Sequence, residues 1–195
     1  MDVLNGFGFE LEPELDGPVQ RGYRGVVGPF GSVSVYRPRS KPGEDPLRQV
    51  LLQGLSFPAT EFSGGSGVLP SLDGGWLKVD QTLVQMDLKV KGVRKGSRRL
   101  EMTYRERSYT YTSFGPMKQA QLKRDGVTVT IDRGRYIPKV GGTRAGQAEG
   151  EADATDLAIA IVLEEVDRSA LTTGGALLAI PANFLFGRGR DEGTP

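Results

Sequence analysis

Residues 76–132 contain successive runs in which apolar and polar side chains alternate, and this period of two constrains the fold more than any other feature of the chain. Such alternation is typical of β-strands that have one face on a core and the other in water. Three runs of this kind follow one another, at 85–91, 100–105 and 108–112. Because short connections separate them, the sequence predicts an antiparallel meander, which closes into a β-barrel or packs as a sandwich.

Asp125 and Gly126 separate two further runs, 121–124 and 127–131, and predict a β-hairpin. Asp-Gly tolerates positive φ at both central positions, so the expected turn is type I′. Residues 19–37 likewise predict a strand, a turn and a second strand. Glycine, at 28 of 195 residues, is about twice the average usage of roughly 7%, which favours many turns and a mainly β fold.

Two regions lack a clear strand pattern. Residues 1–18 mix glycine and proline with acidic side chains and predict an irregular arm with at most one short strand. Residues 139–152 are polar and rich in glycine and alanine, which predicts an exposed loop. The expected organisation is therefore the arm, a single β-rich domain at 19–186 and a polar C-terminal tail at 187–195, because a chain of 195 residues fits one domain.

Seven consecutive apolar residues, 157–163, break the strand pattern. Asp153 or Thr155 can cap a helix here, and Asp156 in the first turn favours one. A helix that is apolar all round must be enclosed, so the expectation is one hydrophobic, largely buried helix near the C-terminus. A buried central strand is the alternative, because the run is short and contains isoleucine and valine. We expect Glu164-Glu165, beyond the run, to return to water.

A second apolar stretch, 176–186, follows the first. Neither stretch has the roughly 20 apolar residues that a membrane span needs, so no transmembrane span is expected. The start of the chain, Met1-Asp2-Val3, lacks the basic and apolar regions of a secretory signal. Together with the absence of cysteine, this predicts a cytoplasmic protein.

The order of a β meander followed by a late apolar helix resembles the tubby C-terminal-like superfamily, which includes the LURP-one-related proteins and the phospholipid scramblases. The likeness is carried by 156–163 and by the upstream runs 109–111 and 122–129. It implies a closed antiparallel barrel of about a dozen strands around one helix. It also implies a non-catalytic scaffold, often one that meets phosphoinositides or membrane surfaces. The stretch 176–186 departs from this pattern, because it follows the helix.

The composition excludes much catalytic chemistry. The chain has no histidine and no cysteine, so it lacks the commonest general base and every thiolate nucleophile or ligand. It has no phosphate-binding loop and no nucleophile-elbow motif. We therefore expect a protein that is not an enzyme and that uses no cofactor and no metal.

The strongest charge feature is a run of six cations with no acid among them. A glycine-containing loop within the run would place most of these charges on one rim of the sheet. Such a rim suits an anionic lipid headgroup or an acidic protein, whereas a solvated strand edge that discourages pairing is the alternative. The run has no interleaved aromatic residue, so nucleic acid is an unlikely partner. The candidate anion-binding residues are Lys89, Lys91, Arg94, Lys95, Arg98 and Arg99.

Three tyrosines downstream of this run could form a stacking platform, although tyrosines at a spacing of two are more often half-buried sheet residues. They are Tyr104, Tyr109 and Tyr111. Trp76 is the only tryptophan and is expected to anchor the core.

Two functions fit these features. The first is a non-enzymatic binding or scaffold protein that meets an anionic lipid or another anionic surface through the basic rim. The alternative is a structural subunit of a larger assembly, such as a phage-like tail, a capsid or an injection-system component. In that case 176–186 would dock on a neighbour and form a homo- or hetero-oligomer.

Overall fold

Twelve β-strands and one α-helix make up the part of the chain that the computed structural model describes, which is residues 6–14, 19–40, 47–65, 69–90, 98–115, 119–134 and 141–172. The strands are β1 (Gly6–Glu14), β2 (Val19–Val26), β3 (Ser32–Pro38), β4 (Gln49–Gln53), β5 (Thr60–Gly64), β6 (Gly75–Val79), β7 (Thr82–Lys89), β8 (Arg99–Tyr104), β9 (Arg107–Ser113), β10 (Ala120–Arg124), β11 (Val127–Arg133) and β12 (Arg144–Gly150). The helix, α1, is Ala154–Glu164.

Each strand pairs antiparallel with its sequence neighbours, and β1 pairs with β12, so the sheet closes into a barrel. The prediction of a mainly β, antiparallel barrel is confirmed, including the meander and the strands at 19–37. The prediction of an irregular arm at 1–18 is wrong, because β1 closes the barrel between β2 and β12. Phe9 and Leu11 of β1 point into the core, while Glu10 is exposed.

The exposed loop predicted at 139–152 is also wrong, because β12 occupies half of it. The inward positions of β12 include Gly146 and Ala148, which offer little apolar signal. The ring of Phe9, the partner of Gly146 in β1, fills the space above that glycine: a Cβ atom there would lie 2.0 Å from Phe9 Cζ. A large residue on one strand thus compensates for a small one on the next.

Helix α1 lies inside the barrel. Its apolar residues from Leu157 to Leu163 are at most 2% exposed, as the enclosed-helix prediction requires, and the buried-strand alternative is wrong. A barrel of eight strands is filled by its own side chains, whereas twelve strands leave room for a helix. Asp153 begins the helix by accepting hydrogen bonds from the backbone N–H groups of Thr155 and Asp156 at 2.9 and 3.0 Å. The Asp156 carboxylate accepts in return from Asp153 N.

The predicted hairpin is present as β10 and β11, but its turn is not type I′. Gly126 has a φ of +68°, whereas Asp125 is not among the residues with positive φ. The Asp125 carbonyl accepts a hydrogen bond from Arg124 Nη1 at 3.1 Å, which helps to fix the peptide orientation. Positive φ at both central positions occurs instead at Asp80 and Gln81, between β6 and β7.

The two ends of the barrel differ in their connections. We call the end at which β1 finishes the upper end. It carries the connections 15–18, 39–48, 65–74, 90–98, 114–119 and 134–143, four of which have nine or ten residues. The opposite, lower end carries 27–31, 54–59, 80–81, 105–106 and 125–126, together with the link 151–153 into α1. The helix enters at the lower end, and residues 165–172 follow it at the upper end.

No helix within the described ranges combines the length and the apolar character that a membrane crossing requires.

Candidate functional site

Acidic residues at both ends of α1 meet arginines from the barrel wall. At the lower end Arg124 donates two hydrogen bonds to Asp156, from Nε and Nη2, each 2.8 Å long. Tyr109 donates to the same carboxylate at 3.2 Å, and Arg107 pairs with Asp153. Asp156 has no exposed surface, so its charge depends on these donors. The acids also lie at the positive end of the helix dipole.

At the upper end Glu164 occupies the matching position. Arg133 Nε donates to it at 3.0 Å, and Arg168, one turn along the chain, also pairs with it. The hydroxyl of Tyr111 lies 3.1 Å from Glu164 Oε1. Arg133 also donates to the Glu164 carbonyl, one of the carbonyls that a helix end leaves without an intrahelical partner.

Glu165 forms a second buried pair beside the first. Arg144 Nε donates to its carboxylate at 2.8 Å, and Arg37 lies 3.8 Å away. Arg144 also donates to the Tyr23 hydroxyl at 2.7 Å and lies over the Tyr23 ring, 4.1 Å from its centre. Glu164 and Glu165 are 1% and 2% exposed, so the expectation that they return to water is wrong.

Sequence reasoning missed this network, although a signal for it exists. In β3 the inward positions Val33 and Val35 are followed, two residues on, by Arg37. In β11 the inward apolar positions end in the same way at Arg133. Side chains two residues apart on a strand point to the same face. An arginine two residues beyond the last inward apolar residue therefore also points inward, at the mouth of the barrel. The acids on the enclosed helix are the partners available there.

The network shifts the pKa of three of its members, Tyr109, Tyr111 and Asp153. Burial, with the nearby charge of Asp156, raises the pKa of the Tyr109 hydroxyl to about 12. Burial also raises the pKa of Tyr111. For Asp153, burial acts to raise the pKa, but the hydrogen bond from Arg107 and those from backbone N–H groups outweigh it and lower the pKa. These tyrosines therefore stay protonated and Asp153 stays charged near neutral pH.

The geometry suits a clamp on the helix better than a reaction centre. The space beside Leu11, Ile161 and Glu165 is too narrow for a water molecule, so a substrate has no room there. The Asp156, Glu164 and Glu165 carboxylates are already hydrogen-bonded to arginine side chains of the barrel wall. No group of three or more acidic side chains suited to a metal ion occurs within the described ranges.

The described cations of the predicted basic run, Lys89, Arg98 and Arg99, lie at the upper end, where β7 finishes and β8 begins. Lys89 ends β7 and pairs with Asp87 on its own strand, and it lies 3.9 Å from Glu101 on β8. Arg99 begins β8 and pairs with Glu101 at 2.7 Å. The hydrogen bond to Asp87 is the largest of the effects that raise the pKa of Lys89. Both cations are more than two-fifths exposed, on the outer face of the sheet.

Arg98 has a different role. Its Nη1 donates to the carbonyls of Ala170 and Thr172, at 3.3 and 3.2 Å, and so holds the segment that follows the helix. The other three predicted residues, Lys91, Arg94 and Lys95, lie outside the described residues. The structure therefore brings Lys89, Arg98 and Arg99 to one end of the barrel, each with protein partners.

The charges of the connections separate the two ends. By sequence, the six upper connections contain ten lysines or arginines and four acidic residues. The lower connections, all described, contain one arginine and five acidic residues: Asp80, Glu106, Asp125, Glu151 and Asp153. The chain is almost neutral as a whole, with a net charge of +1, yet its connections are basic at one end and acidic at the other.

The tyrosines are sheet residues, as the favoured interpretation expected, whereas the prediction that Trp76 anchors the core is wrong. Tyr104, Tyr109 and Tyr111 are buried inside the barrel, so they form no stacking platform on its surface. Trp76 lies on the outer side of β6, half-buried, with Lys78 Nζ 4.6 Å from its ring centre. It alternates with the inward residues Leu77 and Val79, which provide the core contacts.

Fold and network together define a closed antiparallel barrel whose central helix is clamped by arginines at both mouths. Comparisons with protein-family models, with curated proteins and with solved structures give no match to this chain.

Proposed function

We propose that the protein is a non-catalytic binding or scaffold protein that meets an anionic surface, such as an anionic lipid bilayer, with the upper end of its barrel. The observation that carries the proposal is the position of the basic run. Lys89 and Arg99, at its two ends, lie at the mouth where the longer connections gather.

The distribution of charge supports this orientation. The acidic lower end would be repelled by an anionic bilayer, whereas the upper connections contain six more cations than acids. A juxtamembrane basic residue gains about 1 kcal/mol near an anionic surface. Because Asp87 and Glu101 neutralise Lys89 and Arg99, the net attraction rests on Lys91, Arg94 and Lys95 together with the other upper connections.

The architecture also supports a family assignment. A closed barrel around an apolar helix, opened by an acidic residue, is what the likeness to the tubby C-terminal-like superfamily implies. We propose that the chain is a distant member of that superfamily. The enclosed helix leaves little interior space for a substrate, which agrees with a scaffold.

Vesicle flotation tests the function. Wild-type protein should float with vesicles that contain phosphatidylserine, and should remain unbound with pure phosphatidylcholine. Binding should weaken as salt is raised. Replacing three cations together, Lys91→Gln, Arg94→Gln and Lys95→Gln, should reduce binding roughly a hundredfold, since each contributes about 1 kcal/mol.

A matched control removes the same charge from the lower end, through Lys78→Gln, Arg105→Gln and Lys123→Gln. This control should bind as the wild type does. Equal binding to both kinds of vesicle, equal absence of binding, or equal losses in the two triple variants would each contradict the proposal.

A further inference from the structure

Large apolar side chains gather on one half of the outer wall of the barrel. Outward positions of β3, β4, β6 and β7 hold Tyr36, Leu51, Trp76 and Leu83, each next to a buried inward residue. Leu83 is 60% exposed, and the other three are half-buried. The outward positions of β8 to β12, all described, hold no apolar residue larger than alanine. The half of the wall from β3 to β7 is therefore the better surface for a protein partner.

Four outward residues form a row across β4 to β7 on this half. The register places Leu51 opposite Glu61, Glu61 opposite Lys78, and Lys78 opposite Leu83. The row therefore reads leucine, glutamate, lysine, leucine, with both charges on the central strands. Neighbouring strands lie about 4.8 Å apart, so the two leucines are about 14 Å from each other. A half-turn about the line between β5 and β6 exchanges the leucines and exchanges the two charges.

Glu61 and Lys78 face each other on β5 and β6, yet they contact other residues. Gln49 Nε2 donates a hydrogen bond to Glu61 at 3.2 Å. Lys78 lies over the ring of Trp76. Among the described residues, no ion pair joins these two opposite charges. Opposite charges across neighbouring strands usually pair, so both side chains remain available to a charge on another molecule.

We propose that a second copy of the chain docks on this wall, in a two-fold dimer whose axis runs parallel to the strands between β5 and β6. An axis in that position places the row of one copy on the same row of the other. Glu61 of each copy then faces Lys78 of the other copy. Leu51 of each copy likewise faces Leu83 of the other. The wall is complementary to itself, as a two-fold contact requires.

The position of Trp76, the only tryptophan, supports this arrangement. It precedes Lys78 by two residues on β6 and lies opposite Ser63 of β5. The proposed axis places the indole of one copy over the small Ser63 of the other copy. Because β5 and β6 adjoin the axis, Trp76 lies near the centre of the contact, where tryptophan contributes most to binding.

The contact leaves the upper end of each barrel uncovered. Lys78 and Leu83 lie on either side of the turn at 80–81, so the row is close to the lower end. Dimerisation in solution therefore does not depend on the proposed contact with an anionic surface, and either proposal can fail without the other.

Sedimentation velocity of the full-length chain over a range of concentrations tests the proposal. Wild-type protein should form a dimer as its concentration rises. The fluorescence of Trp76 should move to shorter wavelength over the same range, because the half-buried indole loses contact with water. Glu61→Lys and Lys78→Glu should each dimerise about tenfold more weakly or not at all, since like charges then face each other at two symmetric places. Thermal melting checks that each variant is folded.

Combining the two changes gives a sharper test. An equimolar mixture of Glu61→Lys and Lys78→Glu should form a mixed dimer, because every lysine of one chain then faces a glutamate of the other. A double variant with both changes in one chain should dimerise by itself for the same reason. Glu149→Lys and Lys123→Glu make the same changes of charge on the polar half of the wall. These matched controls should dimerise as the wild type does.

Three results would overturn the proposal. The first is a wild type that stays monomeric at every concentration. The second is a loss of dimerisation that neither mixing nor the double variant restores, or an equal loss in the two controls, since either would show a general effect of charge. The third is an assembly that grows beyond two copies, because a two-fold contact closes at a dimer.

Discussion

Asp156 shows how a single side chain holds the helix inside the barrel. Two guanidinium hydrogen bonds, a tyrosine hydroxyl and the N–H of Asp153 surround its carboxylate. Burying a charge is costly unless all of its hydrogen-bonding capacity is used. The network therefore fixes where α1 begins as well as how deeply it lies.

We expect Asp156→Ala to destabilise the fold by about 3–5 kcal/mol, because Arg124 would lose its partner at a half-buried site. Urea unfolding measures the change in the free energy of unfolding. Glu14→Ala breaks the more exposed pair with Arg24 and is the control, with an expected loss below about 1 kcal/mol. Similar losses in both variants would show that the Asp156 network does not hold the helix.

The buried ion pairs could not be predicted residue by residue. Arg133 and Glu164 are both visible in the sequence, but nothing local brings them together across the barrel. The apolar run at 157–163 correctly predicted an enclosed helix, and the acids beside it were assigned to water because charged helix ends usually lie there. Only the strand register shows that Arg133 and Arg144 lie side by side at the same mouth.

Strand β12 could not be recognised from its pattern of apolar and polar residues. Its inward positions are Arg144, Gly146 and Ala148, so the apolar alternation that identified β7 to β11 is missing. Strand β1 had a usable signal in Phe7, Phe9 and Leu11, but its glycines and proline favoured an irregular arm. The two strands that the sequence did not reveal pair with each other, and the large Phe9 of β1 packs over the small Gly146 of β12.

This complementarity makes a prediction for Gly146→Ala. The added Cβ would collide with the Phe9 ring, and overpacking of this kind costs about 1–3 kcal/mol. Gly8→Ala, on the outer side of β1, is the control, because its Cβ would meet its nearest neighbour at an ordinary 3.4 Å. Urea unfolding compares the two variants. A Gly146→Ala variant as stable as Gly8→Ala would contradict the packing of Phe9 on β12.

At the scale of the whole molecule, the barrel has two unlike ends. The odd-numbered strands all run towards the upper end, so the four connections of nine or ten residues lie there, and the three two-residue turns lie at the lower end. The sequence already separates the basic and acidic segments along the chain. Their assignment to opposite ends requires the topology, because it depends on the direction of each strand. The proposed contact with an anionic surface uses this asymmetry.

The central claim is that a closed barrel encloses α1, and amide hydrogen exchange of the intact protein tests it most directly. Since the helix is sealed by the barrel wall and clamped at both mouths, its amides should exchange only when the whole barrel unfolds. We expect the amides of 157–163 to be among the slowest in the protein, with an opening free energy equal to that of global unfolding. Exchange of these amides faster than those of β8 to β11 would contradict an enclosed helix.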